Sequence, residues 1–393
     1  MSPTAELFPP PSPRPASSWL PRRGGSVHRV ISWRDGVVRA VRGSWAGAVE
    51  LEVDLDRPAG DRSSVRALAY TALVGEPEVG DRVTLTVSAL VRGLGTGGYA
   101  MVVALPDRLP ADPPAGPGHV VKARYTPLQP MLLGVDEQES PWHERMRDAD
   151  DLGGLAVVVA DLHSALPAIL AGVRAAGGER KVAYVMTDGG ALPLAFSRSV
   201  AQLREAGWLA ATITAGQAFG GDHEAVNVHT ALLAARHVVG ADVVVLTQGP
   251  GNLGTGTRWG FSGVAAGEAV NAASVLGGRP VAALRVSEAD PRDRHLGVSH
   301  HSMTAYGRVA LRPADVVVPV GDGGPWARVR EQAVTLCEPV GRHRLVEVPT
   351  DGLREALEDS PVRLSTMGRG LDDDEAAFIA SAAAGAHAAT LTA

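Results

Sequence analysis

The chain has 393 residues, of which 45% are apolar and 20% charged, and its formal net charge is -6. These values are typical of a globular protein with room for more than one domain. They exclude wholesale disorder and a basic field that would attract nucleic acid or anionic lipid. A single cysteine, Cys337, excludes an intrachain disulfide framework and favours a reducing compartment. We therefore expect a cytoplasmic protein, and no apolar run is long enough to span a membrane.

Residues 1–29 contain a cluster of prolines between serines and arginines, namely Pro9, Pro10, Pro11, Pro13 and Pro15. Such a segment buries too little apolar surface to offset its ordering entropy, so we predict a disordered tail. It also lacks the continuous apolar stretch of a signal peptide. The alternative is a Pro-rich ligand for a partner domain.

Residues 30–106 show short apolar alternations broken by turns, which predict a small all-β barrel domain of the OB or SH3 type. The predicted strands cover 36–42, 48–53, 65–73, 81–90 and 99–105. An OB barrel that binds single strands needs stacking aromatics and a basic groove, whereas acidic residues are mixed with the aromatics here. We therefore expect a packing or dimerisation module and no nucleic-acid partner.

The loop 93–98 of this domain has four glycines in six residues, which indicates positive φ angles or a close backbone approach. Two interpretations stand side by side: a loop that contacts a ligand on the other domain, or a hairpin with a bulge. Residues 107–150 begin with a Pro-rich stretch and predict a linker and connecting segment.

Residues 151–390 alternate continuous Val/Ala/Leu runs with helical patterns. Runs of this kind are typical of strands that are buried on both faces of a parallel sheet. The predicted fold class is α/β: a parallel, Rossmann-like, doubly wound three-layer domain that the small barrel precedes. The predicted strands cover 155–160, 181–187, 209–214, 242–247, 280–286, 315–319 and 344–348.

Polar or glycine-rich loops follow five consecutive strands of this series, and ligands bind beyond the carboxyl ends of strands in such folds. The resulting candidates for proton transfer are Asp161, His163, Asp188, His300 and His301. Candidates for ligand binding are Gly220, Gly221, Asp222, Gly249, Gly251, Asn252, Gly254, Thr255, Gly256, Thr257 and Arg258.

The segment Gly249-x-Gly251-x-x-Gly254 has the dinucleotide-binding spacing between a strand and a helix. Its backbone N–H groups could hold an anion, with Arg258 balancing the charge. However, it follows the fourth strand, Pro250 removes a donor, and no acidic residue closes a strand about 20 residues on. We therefore expect no standard NAD site, and the open alternatives are an anionic ligand or a turn that only packs.

Other chemistries receive weaker support. Carboxylates and histidines that follow the strands could form a metal site, although neither a His-Glu-x-x-His spacing nor a cysteine pair is present. They are Asp161, His163, Asp188, Asp222, His223, His295, His300 and His301. A metal-dependent hydrolase would use Asp161, His163, Asp188, Asp222 and His300. Ser164 or Ser299 beside a histidine could act as a nucleophile, but the Gly-x-Ser-x-Gly elbow is missing.

An ordered set of motifs resembles an uncharacterised bacterial family, domain of unknown function 3866. The motifs are Gly95-Thr-Gly-Gly-Tyr99, Lys122-Ala-Arg-Tyr-Thr-Pro127, Thr187-Asp-Gly-Gly190, Ala218-Phe-Gly-Gly-Asp222, Gly254-Thr-Gly-Thr257 and Gly297-Val-Ser-His-His301. The resemblance covers 31–385 and implies one full-length unit. It supplies no activity, cofactor or catalytic residue.

The leading functional hypothesis is binding of a small anionic or phosphorylated metabolite in the α/β cleft, with acid–base chemistry. A metal-dependent hydrolase and a non-catalytic scaffold are the alternatives. The sequence assigns no cofactor and no metal, predicts a small-molecule ligand and no membrane partner, and leaves a homo-oligomer open.

Overall fold

A computed structural model describes residues 30–338 and 342–391 of the chain. The predicted disordered tail, residues 1–29, lies outside the described residues. Within the described ranges, no helix combines the length and the apolar character needed to cross a bilayer.

Five strands form a closed barrel at the start of the described chain, in the order β1-β2-β3-β5-β4. The elements are β1 (Trp33–Trp45), β2 (Ala48–Ala59), β3 (Arg62–Tyr70), α1 (Thr71–Val74), β4 (Arg82–Thr86), α2 (Ser88–Val91) and β5 (Ala100–Ala104). Alternate side chains such as Leu51, Val53 and Leu85 fill the interior. The predicted barrel is confirmed, although the run 81–90 leaves the sheet after Thr86 and turns into α2.

The connecting segment carries a two-stranded ribbon of β6 (Val120–Val121) and β7 (Met131–Leu132), followed by α3 (His143–Met146). Lys122 follows β6, and its side chain is only 1% exposed. Its Nζ donates to the carbonyl oxygens of Ala225 at 2.8 Å, Ala218 at 3.0 Å and Thr214 at 3.4 Å. Glu224 Oε2 lies 3.5 Å away and supplies the counter-charge. This ammonium therefore fixes the connecting segment to one edge of the large sheet.

Eight strands in the described part of the chain form one parallel sheet in the order β11-β10-β9-β12-β8-β13-β16-β17. They are β8 (Ala156–Ala160), β9 (Val182–Thr187), β10 (Ala211–Ala215), β11 (His223–Ala225), β12 (Val243–Gln248), β13 (Arg279–Ala282), β16 (Asp315–Val320) and β17 (Arg344–Pro349). Along the chain, a small antiparallel ribbon of β14 (Val286–Ser287) and β15 (Gly297–Val298) lies between β13 and β16, which are neighbours in the sheet. Every residue of β8 and β12 is buried, as the continuous apolar runs predicted.

Helices flank the sheet and complete the predicted three-layer architecture. They are α4 (Leu166–Ala175), α5 (Arg198–Glu205), α6 (Val228–Ala234), α7 (Ala265–Val275), α8 (His300–Thr304), α9 (Trp326–Cys337), α10 (Leu353–Glu358) and α11 (Glu375–Thr390). One layer joins α4, α10 and α11, and another joins α6, α7 and α9 with the π-helical turn 305–309. Two separate layers are what the rule of right-handed crossovers predicts for this strand order, since the chain reverses its direction across the sheet.

Two elements differ from their predictions. The apolar pattern of 224–238 predicts a helix, but the first residues of this segment belong to β11, a short edge strand beside β10, and the chain becomes helical only at Val228. The helix α11 was not predicted, because its alanine-rich sequence is apolar almost all round and lacks the stripe of a surface helix. It packs against α4 in the interior of its layer.

Gly172 and Gly385 set the separation between α4 and α11. A Cβ at Gly172 would overlap the Ala382 carbonyl oxygen, and one at Gly385 would overlap the carbonyl oxygen of Ile169. The two helix backbones are therefore in direct contact.

Replacing either glycine should destabilise the protein. Alanine is the better helix former by roughly 1 kcal/mol, so any loss comes from overpacking, which typically costs about 1–3 kcal/mol. We expect Gly172→Ala and Gly385→Ala each to lower the free energy of unfolding measured by urea denaturation. Gly43→Ala is the control, because a Cβ there would meet nothing within 4 Å. Unchanged stability in both helix variants would contradict this close packing.

Removing the buried ammonium should also destabilise the protein. Lys122→Met leaves the Glu224 carboxylate buried without its cation, and such losses cost roughly 3–5 kcal/mol. Lys181→Met is the matched control, since that lysine is exposed. Equal unfolding free energies for the two variants would show that Lys122 is not the anchor of the connecting segment.

Candidate functional site

A pocket of about 280 Å³ lies at the carboxyl ends of β8, β9, β10 and β12. The chain runs outward from β8 to β9, β10 and the edge strand β11, and then returns to insert β12 between β9 and β8. Loops after neighbouring strands diverge at such a reversal and leave a crevice between them. The starts of α6 and α7 close the sides, and the polar lining residues are Asp161, Thr187, Asp188, Asn227, Gln248, Ser262 and Glu268.

The lining is rich in hydrogen-bond acceptors. Asp161 is 2% exposed, and its Oδ2 has no hydrogen-bond partner among the described residues. Gln248 donates from Nε2 to the Asp161 carbonyl oxygen at 2.9 Å, while its Oε1 also has no partner in that part of the chain. Asp188 Oδ2 accepts the Gln217 N–H at 2.8 Å. None of the described lining residues is a lysine or an arginine.

The predicted candidates Asp161 and Asp188 both reach this pocket, but the glycine loop after β12 does not line it. Its hydrogen bonds are largely internal: the Thr255 N–H donates to the Gly260 carbonyl oxygen at 2.7 Å, and Asn252 Oδ1 accepts from Ser262 Oγ at 2.8 Å. Arg258 is exposed and forms no ion pair within the described residues. A role for residues 249–258 in ligand binding stays a prediction.

The barrel loop 93–98 approaches that same glycine loop rather than the pocket. A Cβ at Gly251 would lie 3.8 Å from the Gly95 carbonyl oxygen. Trp45 of the barrel adds a hydrogen bond of 2.7 Å from its Nε1 to the Ala195 carbonyl oxygen. These contacts join the barrel to the loops that follow β9 and β12.

Gly220, Gly221 and Asp222 lie at the β10 edge, outside the pocket lining. Asp222 Oδ2 accepts the Thr212 N–H at 2.8 Å and forms an ion pair with Arg204. The Gly220 N–H donates to Glu224 Oε1 at 2.7 Å. The hydrogen bonds of these groups hold the strand edge together.

His163 is engaged in a buried network behind β8 and β9. Its Nδ1 lies 2.8 Å from the Tyr184 hydroxyl and its Nε2 lies 2.7 Å from Ser197 Oγ. Burial lowers the pKa of His163 from 6.5 to about 4. Both ring nitrogens are occupied, so the ring has no free nitrogen to offer a ligand.

His300 and His301, at the start of α8, lie beside His295, and their rings are 4.4 to 5.1 Å apart between centroids. Burial is the main cause that lowers the pKa of His295 to about 3 and of His300 to about 4, and nearby arginines add to it. His301 Nδ1 lies 3.6 Å from Asp161 Oδ2, which brings this cluster next to the pocket. The phenyl ring of Phe261 stacks on His301 at 3.9 Å.

The two serines considered as nucleophiles have other partners. Ser299 is fully buried, and its Oγ accepts the His301 N–H as the cap of α8 while it contacts His295 Nδ1 at 2.7 Å. Ser164 Oγ contacts Thr366 Oγ1 at 3.2 Å.

Several residues of the pocket and the cluster were not among the candidates from the sequence, and Glu268, Asn227 and Arg285 are three of them. Glu268 lies in the first turn of α7, Asn227 caps α6, and Arg285 donates to His301 Nδ1 at 3.1 Å. The capping position of Asn227 carries a local sequence signal. Glu268 and Arg285 have no such signal, because only the sheet order brings them to the site.

The buried His163 should make the protein acid-sensitive. In the unfolded chain this imidazole binds a proton below about pH 6.5, whereas in the folded state it stays neutral down to about pH 4. The free energy of unfolding therefore falls as the pH drops through this window. One such proton contributes up to about 1.4 kcal/mol per pH unit.

We therefore expect His163→Gln to lose less stability than the wild type between pH 7 and pH 4.5, by urea denaturation at each pH. His229→Gln, at an exposed position, should follow the wild type. An unchanged slope in His163→Gln would contradict burial of a neutral imidazole.

Comparison with known proteins agrees with the motifs in the sequence. A family model described as "Protein of unknown function (DUF3866)" matches residues 66–385, well over half of the chain. Neither a curated protein nor a solved structure matches. The family predicted from the six motifs is thereby confirmed: the chain belongs to the DUF3866 family.

Proposed function

We propose that the protein binds a small metabolite rich in hydroxyl or amino groups in the pocket over β8, β9, β10 and β12. The observation that carries this proposal is the pair of buried acceptors without partners, Asp161 Oδ2 and Gln248 Oε1, on residues that line the pocket. An unsatisfied buried acceptor costs about 1–3 kcal/mol. Donors on a ligand would offset that cost.

The place and size of the pocket support the same proposal. Ligands of open parallel sheets bind beyond the carboxyl ends of the strands, where the strand order reverses. A volume of about 280 Å³ is near the lower end of small-molecule sites, roughly 300–1,000 Å³. These dimensions suit a compound of the size of a monosaccharide or an amino acid.

The carboxyl groups in the lining favour a neutral or cationic ligand. Asp161, Asp188 and Glu268 would repel an anion at this position. The anionic or phosphorylated ligand predicted from the glycine spacing would instead have to use the loop 249–258 with Arg258. Asp161 is the group that we assign to any proton transfer, since it is the most buried carboxyl group in the lining.

A thermal-shift screen tests the proposal. Sugars, polyols, amino acids and polyamines form one panel, and phosphorylated metabolites and organic acids form the other. A ligand from the first panel at 100 times its Kd should stabilise the protein by ~2.7 kcal/mol. Asp188→Asn should weaken that ligand about tenfold or more, equal to about 1.4 kcal/mol, because asparagine removes the charge and keeps an oxygen for the Gln217 N–H. Arg258→Ala is the control that should bind normally.

Two results would contradict the proposal. Stabilisation by phosphorylated compounds only, lost in Arg258→Ala, would move the function to the loop 249–258. Stabilisation by no compound of either panel would favour the non-catalytic scaffold.

A further inference from the structure

Three histidines outside the pocket converge on one point. His295 ends a short turn after β14, and His300 and His301 are the first residues of α8. One nitrogen from each ring lies within 4.8 Å of one nitrogen from each of the other two. Three nitrogens bound to one zinc ion at about 2.1 Å are roughly 3.4 Å apart, so small side-chain movements would suffice to close the cluster around a metal.

The cluster contains a nitrogen that the protein itself does not satisfy. His300 Nε2 is buried and has no hydrogen-bond partner among the described residues. Native structures leave few buried polar atoms in this state, since each one costs free energy. His295 and His301 are also buried, at 2% and 8% exposure. The three rings therefore lie together in a region with little access to water, and the neutral imidazole ring is the form that binds metals.

Groups around the cluster match the outer shell of a histidine metal site. A metal-bound histidine usually donates its other ring N–H to an oxygen, which fixes the ring and its tautomer. Ser299 Oγ lies 2.7 Å from His295 Nδ1, and the unpartnered Asp161 Oδ2 lies 3.6 Å from His301 Nδ1. Both partners are on Nδ1, which leaves Nε2 of these two rings for a metal.

Of the three arginines near the cluster, Arg292 is balanced by a carboxylate, whereas Arg285 and Arg294 form no ion pair among the described residues. Arg292 forms a bidentate pair with Asp290, with both distances at 2.8 Å. Arg285 donates to His301 Nδ1 at 3.1 Å. Metal binding at His301 Nε2 would place the ring proton on Nδ1, where it would donate to Asp161 and displace Arg285. The carboxylate of Asp161 and the metal would then lie on opposite sides of the His301 ring, one at Nδ1 and the other at Nε2.

We propose that His295, His300 and His301 bind one divalent transition-metal ion of the zinc type. Asp161 and Ser299 are the positioning residues of this site. Three imidazole ligands suit zinc, copper, nickel and iron. A site with three protein ligands keeps a position open for water or a substrate, as catalytic zinc sites do.

This ligand set differs from the one considered for a metal-dependent hydrolase on sequence grounds. His163 uses both nitrogens in hydrogen bonds, and Asp222 is paired with Arg204. Asp188 lies in the pocket with a backbone partner. Of the five residues of that set, His300 remains as a ligand and Asp161 moves to the outer shell. The metal proposal does not rest on the proposed ligand, although Asp161 joins the two sites.

The test uses the full chain without a polyhistidine tag, stripped with a chelator and dialysed against zinc chloride. We expect one tightly bound zinc ion per chain by elemental analysis and titration calorimetry. His300→Ala should weaken zinc binding by more than about 100-fold, the upper end of what the loss of an outer-shell partner costs. His229→Ala is the matched control, because it removes an exposed histidine and should keep wild-type affinity.

Asp161→Asn provides a second variant that keeps the shape of the side chain. Loss of the carboxylate should lower zinc affinity about 10- to 100-fold, and cobalt in place of zinc should give a visible spectrum that changes in this variant. Thermal unfolding without metal shows that each variant is folded. The proposal is overturned if the wild type binds no stoichiometric zinc, or if His300→Ala and His229→Ala bind zinc equally. The thermal-shift screen with sugars, polyols, amino acids and polyamines is repeated on His300→Ala. Because this variant alters the cluster and not the pocket lining, the screen tests ligand binding in the pocket separately from metal binding.

Discussion

The burial of the central strands on both faces is the constraint on which the remaining structure depends. All residues of β8 and β12 are buried, so helices must cover the sheet on both sides. Because crossovers are right-handed, the chain changes face when it changes direction. It does so between β10 and β12, and the loops after β8 and β12 therefore diverge at the carboxyl edge. Asp161 and Gln248 stand at these two strand ends and face the opening.

Near the pocket and the cluster, hydrogen-bond satisfaction distinguishes structural polar groups from candidate functional ones, although Ser64, Thr96, Arg180 and His343 elsewhere also bury an unpartnered polar atom. Lys122, His163 and Asp222 are surrounded by partners and stabilise the fold through them. By contrast, Asp161 Oδ2, Gln248 Oε1 and His300 Nε2 are buried without partners in the described chain. Asp161 lies between the other two, since it bonds to Gln248 through its carbonyl oxygen and faces the histidine cluster through His301. Asp161 therefore borders both the pocket and the histidine cluster.

The glycine loop after β12 shows that the same glycine spacing can occur in a ligand-binding loop or in a loop that only packs. Gly249, Gly251 and Gly254 have the spacing of a dinucleotide-binding loop, yet Thr255 and Asn252 form hydrogen bonds within the loop and with the start of the next turn. Gly251 also permits the close approach of the barrel loop. Glycine spacing indicates where the backbone has positive φ angles or a close neighbour. It does not tell whether that neighbour is a ligand or another loop of the protein.

The sequence by itself determined the barrel, the parallel α/β fold and the family, because alternating and continuous apolar runs, turn residues and the ordered motifs are local signals. It also placed Asp161 and Asp188 at strand ends. Only the tertiary structure decided which strand ends are neighbours. It thereby decided the contacts of Asp161 with Gln248 and His301 and the place of Glu268 in the same pocket. The same holds for the α4–α11 contact through Gly172 and Gly385. These contacts join residues far apart in the chain, and their partners follow from strand order, which no local pattern encodes.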